Sequence, residues 1–412
     1  MKFSDYRISP IIKKNLEAAG FKRPTDIQFK SIPAILNGED VLAIAQTGTG
    51  KTAAFAIPVI HLIDEKKTSA RTSGIKCLIM VPTRELALQI EESFRTLAKG
   101  SKVKVRAIVG GVSQDPQIKA LDKGIDVVIA TPGRLFDLVS QGHLILDKVE
   151  YLILDEADHM LDLGFIHDIR ALVKKIPSRR QTLFFSATID EKIKKLAYSL
   201  VRKAIRIQIS PKNPVAKNVT HSVAYIEMDD KRFFLERLIK EDPAKKTLVF
   251  VRTQVRAERV CKAMERVNIQ TETIHGGKEQ QNRLEVMNRF RNGENKILIA
   301  TDVSARGIDV SGVDQVVNYD LPDQVENYVH RVGRTGRGKQ KGWAVSFCSE
   351  TEKEILKEIE NYLGKPITKL EINRGDYEDT IDLSEDNSYD WKSLIDNNEK
   401  QAHQKKKKKK KR

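Results

Sequence analysis

Cysteine is scarce in this 412-residue chain, whose three copies, Cys77, Cys261 and Cys348, lie far apart and form no CxxC pair. This spacing argues against a disulfide framework or a metal site, so we expect three buried free thiols. Long apolar runs are also missing, because no stretch approaches the roughly 18 apolar residues of a membrane span. The first ten residues, MKFSDYRISP, lack the basic and apolar regions of a signal peptide. We therefore expect a cytoplasmic protein that does not bind membranes.

Charge is abundant and unevenly distributed, with a net charge of +16. Residues 401–412 carry +8 and residues 371–400 carry −7, which leaves +15 for residues 1–370. A basic body favours a polyanionic partner, nucleic acid before membrane. Composition alone is equally compatible with a basic surface that only keeps the protein in solution. The length suits two domains of ordinary size.

A glycine-rich stretch, AQTGTGKT, occupies residues 45–52 between the apolar run VLAI and the helical pattern AAFAI. The order strand, loop, helix is typical of a phosphate loop. Glycines let the backbone turn its N–H groups inward, the lysine meets the β- and γ-phosphates, and the threonine hydroxyl can bind Mg²⁺. A chance turn rich in glycine and lysine is the alternative. The stretch predicts a nucleoside triphosphate site formed by Thr47, Gly48, Thr49, Gly50, Lys51 and Thr52.

Short β-branched runs alternate with helical patterns along the rest of the chain. Near-continuous apolar strands of this kind predict a parallel sheet with helices on both faces. Functional residues in such sheets gather in the loops at the carboxyl ends of the strands. The predicted strands lie at 41–44, 75–81, 103–109, 126–130, 151–154 and 181–185, and then at 247–251, 270–274, 296–300, 313–319 and 343–348.

Two polar elements of the first half suggest further roles around a nucleotide. After the strand at 151–154, Asp155 is suited to hold Mg²⁺ and Glu156 to orient or deprotonate an attacking water. A solvated acidic turn is the competing interpretation. In GFKRPTDIQ, at 20–28, Thr25 is a plausible helix cap, and the amide of Gln28 can donate to and accept from adenine. Taken alone, Gln28 is only a polar helix residue.

Periodicity stops at 210–218, where two prolines in a polar stretch predict a linker. In the second half, HRVGRTGR spans 330–337; on a helix, His330, Arg334 and Arg337 would share one face and could stabilise charge on a γ-phosphate. A basic surface turn is the alternative, since two glycines weaken the helix.

We expect domains at 1–209 and 219–366, followed by a disordered tail at 367–412 that is acidic and then basic. The basic end could bind phosphates without regard to nucleic-acid sequence. Alternatively, it could only keep the protein in solution, or direct it to a partner through its charge.

In their order along residues 1–366, these motifs resemble those of the DEAD-box ATP-dependent RNA helicases. The resemblance is carried by GFKRPTDIQ, AQTGTGKT, PTRELALQ, the glycine pair at 110 and 111, TPGR, DEAD, SAT, FVRT, QxxR at 280–283, TDVSARGID and HRVGRTGR. The stretch DEADHMLDLGFIHDI is similar to the bacterial RhlE-like branch. The resemblance implies two tandem RecA-like domains, each an α/β fold with a parallel sheet covered by helices on both faces. It also implies ATP and Mg²⁺ as cofactors.

The resemblance further implies roles for residues at matching positions. Phe3 and Gln28 would hold adenine. Lys51 and Thr52 would bind the phosphates and the metal, and Asp155 would also bind the metal. Glu156 would act on water. Asp158, Ser186 and Thr188 would couple nucleotide state to domain closure. From the second domain, Gly307 and Asp309 would reach the nucleotide, His330 would order the water, and Arg334 and Arg337 would act as arginine fingers. RNA would contact Pro82, Thr83, Arg84, Gly110, Gly111, Thr131, Gly133, Arg134, Arg252, Thr253, Gln280, Arg283 and Thr301.

The implied function is that of a helicase that binds single-stranded RNA across both domains without sequence preference. It would separate short duplexes and remodel RNA–protein complexes, with hydrolysis driving release. Two alternatives remain at this point: an ATP-gated RNA clamp or scaffold without unwinding, and a translocating DNA helicase. We expect a monomer, with the ribosome or RNA-degradation machinery as candidate partners.

Overall fold

The computed structural model describes residues 2–46, 48–68, 74–209, 218–302, 312–336 and 341–384. The chain divides near residue 216 into two compact units, here called the first and the second unit. This division falls within the predicted linker, of which residues 210–217 lie outside the described residues. Also outside them are Thr47, Gly307, Asp309, Arg337 and residues 385–412, which include the basic end of the chain.

The described part of the first unit contains a seven-stranded parallel sheet with the strand order β3-β4-β2-β5-β6-β1-β7. Its strands are β1 (Val41–Ala45), β2 (Cys77–Met80), β3 (Val105–Ile108), β4 (Val127–Ala130), β5 (Tyr151–Leu154), β6 (Gln181–Ser186) and β7 (Ile205–Ile209). Its helices are α1 (Pro10–Ala18), α2 (Asp26–Leu36), α3 (Lys51–Lys66), α4 (Arg84–Leu97), α5 (Asp115–Asp122), α6 (Pro132–Ser140), α7 (Ala157–Asp162), α8 (Ile166–Lys175) and α9 (Glu191–Leu200).

Successive residues of these strands point to opposite faces of the sheet, and both faces are buried. Ala43 and Ile79 belong to a core shared with α1, α2, α3 and α4. Leu42 and Leu78, their neighbours in sequence, belong to a second core shared with α6, α7, α8 and α9. Burial on both faces explains why β1, β2, β4 and β5 are apolar throughout and why they could be predicted from sequence.

The described part of the second unit repeats this architecture with the strand order β10-β11-β9-β12-β13-β8-β14, again parallel. Its strands are β8 (Val219–Tyr225), β9 (Thr247–Val251), β10 (Glu272–Ile274), β11 (Ile297–Thr301), β12 (Gln315–Asn318), β13 (Gly342–Cys348) and β14 (Thr368–Leu370). Its helices in the described ranges are α10 (Lys231–Glu241), α11 (Gln254–Arg266), α12 (Gln280–Asn292), α13 (Val325–Val332), α14 (Lys353–Leu363) and α15 (Arg374–Asp382). Over the described ranges of both units, every helix is too short or too polar to cross a membrane.

Each predicted strand is present, with ends that agree to within two residues. The prediction that ordered structure ends at residue 366 is wrong for residues 367–384. There, β14 pairs with β8, and α15 packs against α10. The ring centroids of Tyr377 and Phe234 lie 4.8 Å apart, with their planes tilted by 51°. Neither element could be predicted from a periodic pattern of apolar residues. All three side chains of β14 are exposed, and Thr380 is the buried residue of α15.

The cysteines are free thiols, as predicted, but they differ in burial. Cys77 and Cys348 are buried, whereas Cys261 is only partly buried. Burial raises the pKa of the Cys77 thiol far above its usual range. Cys77 is therefore an inert core residue rather than a nucleophile.

Candidate active site and nucleic-acid interface

Six neighbouring strands of the first unit end at the same edge of the sheet, and each is followed by one of the polar motifs. Along the strand order from β3 to β1, these are the glycine pair 110–111, TPGR, PTRE, DEAD, SAT and the phosphate loop. The acidic loop and SAT thus separate the phosphate loop from the three loops implied to bind RNA. This spatial order differs from the order in sequence, because β4 and β2 lie between β3 and β5.

The phosphate loop leads from β1 directly into the N-terminus of α3. Gly48 and Gly50 have φ angles of +81° and +92°, a left-handed conformation that glycine adopts without steric cost. Lys51, the first residue of α3, is buried, and its Nζ donates to the carbonyl oxygen of Ala45 over 2.9 Å. Thr49 Oγ1 donates to the carbonyl oxygen of Gln46 over 2.7 Å. A positive charge and the free N–H groups of a helix start are therefore held together in one loop.

Gln28 is buried against this loop rather than exposed on its helix. It lies in the first turn of α2, which begins after Thr25 as predicted, and its Oε1 accepts from the Thr25 N–H over 2.9 Å. Its Nε2 donates to the carbonyl oxygen of Gly50 over 3.1 Å. A side chain at residue 50 would clash with this amide, which gives Gly50 a second reason to be glycine. Gln28 therefore links α2 to the phosphate loop.

Phe3, the second residue expected near adenine, packs into the core of the first unit. It is 4% exposed, and its ring lies 6.2 Å from Tyr6 and 6.0 Å from Phe21. Contact between Phe3 and adenine stays a prediction.

Asp155 and Glu156 follow β5 in an acidic elbow. Asp155 is 3% exposed, and its Oδ1 accepts from the Glu156 N–H over 3.0 Å. Burial raises the pKa of Asp155 to about 6, although the Lys51 ammonium acts in the opposite direction. The described residues contain no cluster of three or more His, Cys, Asp and Glu side chains that could hold a metal ion. A single carboxylate of this kind fits Mg²⁺, which usually keeps waters and substrate phosphates among its ligands.

Glu156 has an unusual backbone for a residue with a side chain, with φ 51° and ψ 49° at the cap of α7. Left-handed geometry in a residue other than glycine costs free energy and is concentrated at functional sites. Glu156 thus combines a strained backbone with a position directly after the buried Asp155, which makes this elbow a candidate functional site.

Asp158 joins the acidic loop to SAT after β6. Its Oδ2 accepts from the N–H groups of Ala187 and Thr188 over 3.1 Å each and from Thr188 Oγ1 over 3.3 Å. Asp158 and Thr188 are thus in direct contact, and their role in coupling nucleotide state to domain closure stays a prediction. Ser186 lies apart from this contact, with a buried hydroxyl that has no hydrogen-bond partner among the described residues.

Arg84, Gly110, Gly111 and Arg134 come together at the ends of β2, β3 and β4. The guanidinium of Arg84 lies against both glycines, and Arg134 Nη2 donates to the Val112 carbonyl over 2.9 Å. Two arginines thus contact a loop whose residues 111–113 are exposed. Such a surface suits the sugar-phosphate backbone of a nucleic acid.

Gln117 holds this glycine loop in place, a role that sequence reasoning missed. It is 4% exposed; its Oε1 accepts from Val109 N over 2.9 Å, and its Nε2 donates to the carbonyl oxygens of Val109 (3.0 Å) and Ser113 (3.1 Å). No sequence signal marks it, because a glutamine on α5 resembles any surface helix residue.

The remaining residues expected to bind RNA in the first unit lie at helix starts. Thr83 caps α4, where its Oγ1 accepts from Leu86 N over 3.3 Å, and Thr131 is the cap residue of α6. Pro82 is buried and Gly133 is exposed. Helix N-termini present backbone N–H groups, which favour phosphate contacts.

Beyond residue 218, the expected RNA-binding residues also follow carboxyl ends of strands or begin a helix. Arg252 and Thr253 follow β9, Thr301 ends β11, and Gln280 and Arg283 lie in the first turn of α12. The hydroxyl of Thr253 caps α11 by accepting from Arg256 N over 3.2 Å.

Two acidic side chains and a backbone carbonyl fix the Arg252 side chain. Its Nε lies 2.9 Å from Asp323 Oδ1, and its Nη2 donates to the Leu321 carbonyl over 3.2 Å and to Glu352 Oε1 over 3.3 Å. The guanidinium therefore has a defined direction while it stays partly exposed.

The expectation that His330 and Arg334 share one helical face is wrong. Helix α13 ends at Val332, Gly333 is its cap residue, and Gly336 has a φ of +66°. Arg334 lies beyond the helix and is 5% exposed, and its Nε donates to the His330 carbonyl over 3.1 Å. The two glycines end the helix, as their low helix propensity favours.

Arg331, next to His330, has a structural role that the sequence analysis did not identify. It is 1% exposed; its Nε and Nη2 each lie 2.6 Å from an oxygen of Asp302, and its Nη1 donates to the Asp320 carbonyl over 2.7 Å. It thus ties α13 to the loops after β11 and β12. Asp302 is an acidic residue directly after a buried strand, and this position was the sequence feature that could have indicated a buried basic partner such as Arg331.

Glu258 on α11 organises the turn His275-Gly276-Gly277-Lys278 that precedes α12. Its Oε1 accepts from Thr273 Oγ1 over 2.7 Å and lies 2.8 Å from His275 Nε2 and 3.4 Å from Lys278 Nζ. Partial burial acts to raise the pKa of Glu258, but the hydrogen bonds from Thr273 and His275 and the Lys278 charge outweigh it and lower the pKa to about 2.

Comparison with known families accounts for the order of the motifs. The family model described as DEAD/DEAH box helicase matches residues 25–196, and the helicase conserved C-terminal domain matches residues 230–339. The chain is 38% identical over 371 residues to the ATP-dependent RNA helicase DbpA of Bacillus subtilis. The matched region covers 90% of this chain and 76% of that protein. It is 40% identical over 377 residues to RhlB of Shewanella oneidensis, over 90% of this chain and 86% of that protein. The RhlE-like branch stays a prediction.

Solved structures show the same fold. Dbp5 of S. cerevisiae bound to RNA and ADP BeF3 matches with a TM-score of 0.80 and 29% identity, over 90% of this chain and 95% of that chain. The DEAD-box helicase Mss116 bound to ssRNA and UDP-BeF matches with a TM-score of 0.82 and 30% identity, over 93% of this chain and 82% of that chain. With two family models along its length and relatives at about 40% identity, the chain belongs to the DEAD/DEAH box helicase family.

Proposed function

We propose that this protein is an ATP-dependent RNA helicase that binds single-stranded RNA, separates short duplexes and remodels RNA–protein complexes. The observation that carries the proposal is the order of loops at the carboxyl edge of the first sheet. The phosphate loop lies at one side, the arginine-flanked glycine loop at the other, and the linked acidic and SAT loops lie between them. This arrangement suits a protein in which nucleotide state and RNA binding depend on each other.

The residues of the phosphate loop fit ATP with Mg²⁺. Lys51 is a buried cation whose Nζ bonds to a neutral carbonyl, and phosphate oxygens are stronger acceptors for such a charge. The start of α3, with Gly48 and Gly50 before it, suits the same anion. Thr52 and Asp155 would hold Mg²⁺, and Gln28 and Phe3 adenine, with Gly307 and Asp309 as further contacts. When bound, ATP supplies the bond that is cleaved, and Mg²⁺ neutralises phosphate charge.

Glu156 is the proposed residue for orienting and deprotonating the attacking water. Its position directly after Asp155 at the end of β5, in a strained left-handed backbone, supports this role. His330 would help to order the same water, and Arg334 and Arg337 would stabilise transition-state charge. Arginines in that role contribute roughly 10³ to 10⁵ to the rate.

Contact between Asp158 and Thr188 supports a coupling role for the SAT loop. A change at the acidic loop would alter three hydrogen bonds that fix the start of the segment after β6. Ser186 is the third residue of this proposal. Hydrolysis would then drive release of RNA through a change in this loop.

RNA would bind through its backbone, which explains binding without sequence preference. The contacts would come from both units: the arginines and glycines at 84, 110, 111 and 134 with the helix starts at 83 and 131, and Arg252, Thr253, Gln280, Arg283 and Thr301. The basic body of the chain favours the same partner.

The test is steady-state ATP hydrolysis with and without single-stranded RNA, with a DNA strand of the same sequence and a Lys51→Ala protein as controls. We expect RNA to raise the rate, DNA to raise it less, and Lys51→Ala to abolish it. A rate that ignores RNA contradicts the proposal and favours a clamp activated by a partner protein. A rate that rises equally with DNA favours a DNA helicase. Separation of a short labelled RNA duplex then distinguishes a helicase from a clamp that only holds RNA.

The monomeric state, the cytoplasmic location and the association with ribosomes or RNA-degradation machinery are further parts of this proposal. Sedimentation of the purified chain with and without RNA tests the first. Co-sedimentation with ribosomes at several salt concentrations tests the last.

A further inference from the structure

His159 lies immediately after the acidic motif, in the first turn of α7. It is 4% exposed, within a helix that packs against β6 and α9. Its Nδ1 lies 3.5 Å from Oε2 of Glu156, three residues earlier. His159 is not among the residues assigned to nucleotide, metal or RNA.

The imidazole of His159 is a buried polar group without hydrogen bonds. Neither ring nitrogen has a hydrogen-bond partner among the described residues. Burying a polar group in this way costs free energy, and the great majority of buried polar side chains are satisfied. An unsatisfied buried imidazole next to a carboxylate therefore calls for an explanation.

The Glu156 carboxylate is the partner that the geometry offers. At 3.5 Å the nitrogen and oxygen are a few tenths of an ångström beyond an ordinary N–H···O distance. Catalytic hydrogen bonds often have such long distances before substrate binds and shorten in the reactive complex.

We propose that His159 is a positioning residue for Glu156. Its Nδ1–H donates to Oε2 and fixes the plane of the carboxylate, which leaves Oε1 to accept a proton from water. His159 touches neither the nucleotide nor the water, and the inference rests on the role of Glu156 in the proposed function. Packing alone is the rival explanation, in which the buried ring only fills space.

Three substitutions separate hydrogen bonding from packing. In His159→Asn the side-chain amide nitrogen occupies the place of Nδ1 and keeps the donor toward Glu156. In His159→Gln the amide corresponds instead to Nε2, and His159→Leu keeps the approximate volume without any donor. All are measured as the full chain, by RNA-stimulated ATP hydrolysis over a range of ATP concentrations, with thermal unfolding as a check on the fold.

We expect kcat to fall about tenfold to hundredfold in His159→Leu and His159→Gln, because small displacements of a catalytic group can cost about 10² in rate. In His159→Asn, kcat should remain within a few-fold of the wild type, and the KM for ATP should change little in all three. Wild-type kcat in His159→Leu overturns the proposal, as does an equal loss in the Asn and Leu proteins. Should His159→Leu fail to fold, the comparison of Asn with Gln decides on its own.

Glu156→Gln distinguishes this inference from the proposed function. If Glu156→Gln still hydrolyses ATP at the wild-type rate, the proposed role of Glu156 fails and this inference falls with it. If Glu156→Gln is inactive and His159→Leu is fully active, only the inference fails. We expect the double variant to be no slower than Glu156→Gln alone, since His159 acts through that carboxylate.

Discussion

The guanidinium of Arg84 occupies the space that a side chain at residue 111 would need. A Cβ built on Gly111 would clash with Arg84 Nη1, and Gly111 also has a φ of +71°. Gly111 thus serves both a left-handed turn and the close approach of an arginine from another loop. The two residues act together as one surface, although 27 positions separate them in sequence.

Gly111→Ala is therefore expected to weaken RNA binding by displacing Arg84. Loss of a hydrogen bond to a charged group costs about 1.5 to 3 kcal/mol, which corresponds to roughly tenfold to hundredfold in Kd. Fluorescence anisotropy with a labelled RNA measures the effect, and nucleotide binding should be unchanged. Arg84→Ala should have a similar effect, and the double variant should be no worse than Arg84→Ala. Additive losses would mean that the two residues act independently.

Arg331→Met is expected to destabilise the second unit, although Arg331 lies among the residues implied to act on nucleotide. Removing one partner of a buried ion pair lowers the free energy of unfolding by about 3 to 5 kcal/mol. Arg331→Lys should lower it by less, because lysine keeps the positive charge, although it cannot make both bonds to Asp302. Urea unfolding measures this loss, with Trp343 in β13 as the fluorescent reporter. Arg334→Ala is the matched control, which should lower ATP hydrolysis with a smaller change in stability. The opposite pattern would make Arg331 the arginine that acts on ATP.

These cases show which features the sequence can predict. Strands such as β5 and β9 are predictable because burial on both faces leaves an uninterrupted apolar run. The contact of Asp158 with the SAT loop joins two residues that the motif resemblance placed in one coupling role, and that role stays a prediction. The contacts of Arg84, Gln117 and Arg331 were not predictable, because each depends on which loops the strand order brings together.

The last part of the second unit illustrates a different limit. Residues 367–384 lack periodicity, yet β14 and α15 are held there by pairing with β8 and by polar contacts. The Tyr377 hydroxyl accepts from Glu227 N over 3.0 Å and donates to Asp230 Oδ2 over 2.8 Å. Tertiary contacts of this kind can order a segment that its local sequence does not.

Glu258 should make the stability of the second unit depend on pH in the acidic range. Because its folded pKa of about 2 lies below the usual 4.5, its stabilising contribution is present above pH 4.5 and is lost as the pH falls toward 2. Glu258→Gln should therefore be less stable than the wild type at pH 7, and the difference should shrink between pH 5 and pH 3. Urea unfolding at several pH values measures it. A difference that is the same at pH 7 and pH 3 would rule out this ionisation as its source.

The charge at the end of the chain leads to a prediction about salt. Residues 401–412 carry +8, and lysines that neutralise phosphates release counterions, so their contribution to binding falls as salt rises. Deletion of residues 401–412 should weaken RNA binding mainly at low salt and reduce the slope of log K against log salt by about 0.7 for each lost contact. A variant of the same length with serine at 405–411 separates charge from chain length. If the deletion leaves the slope unchanged, the basic end takes no part in RNA binding, and the +15 of residues 1–370 accounts for the electrostatic attraction.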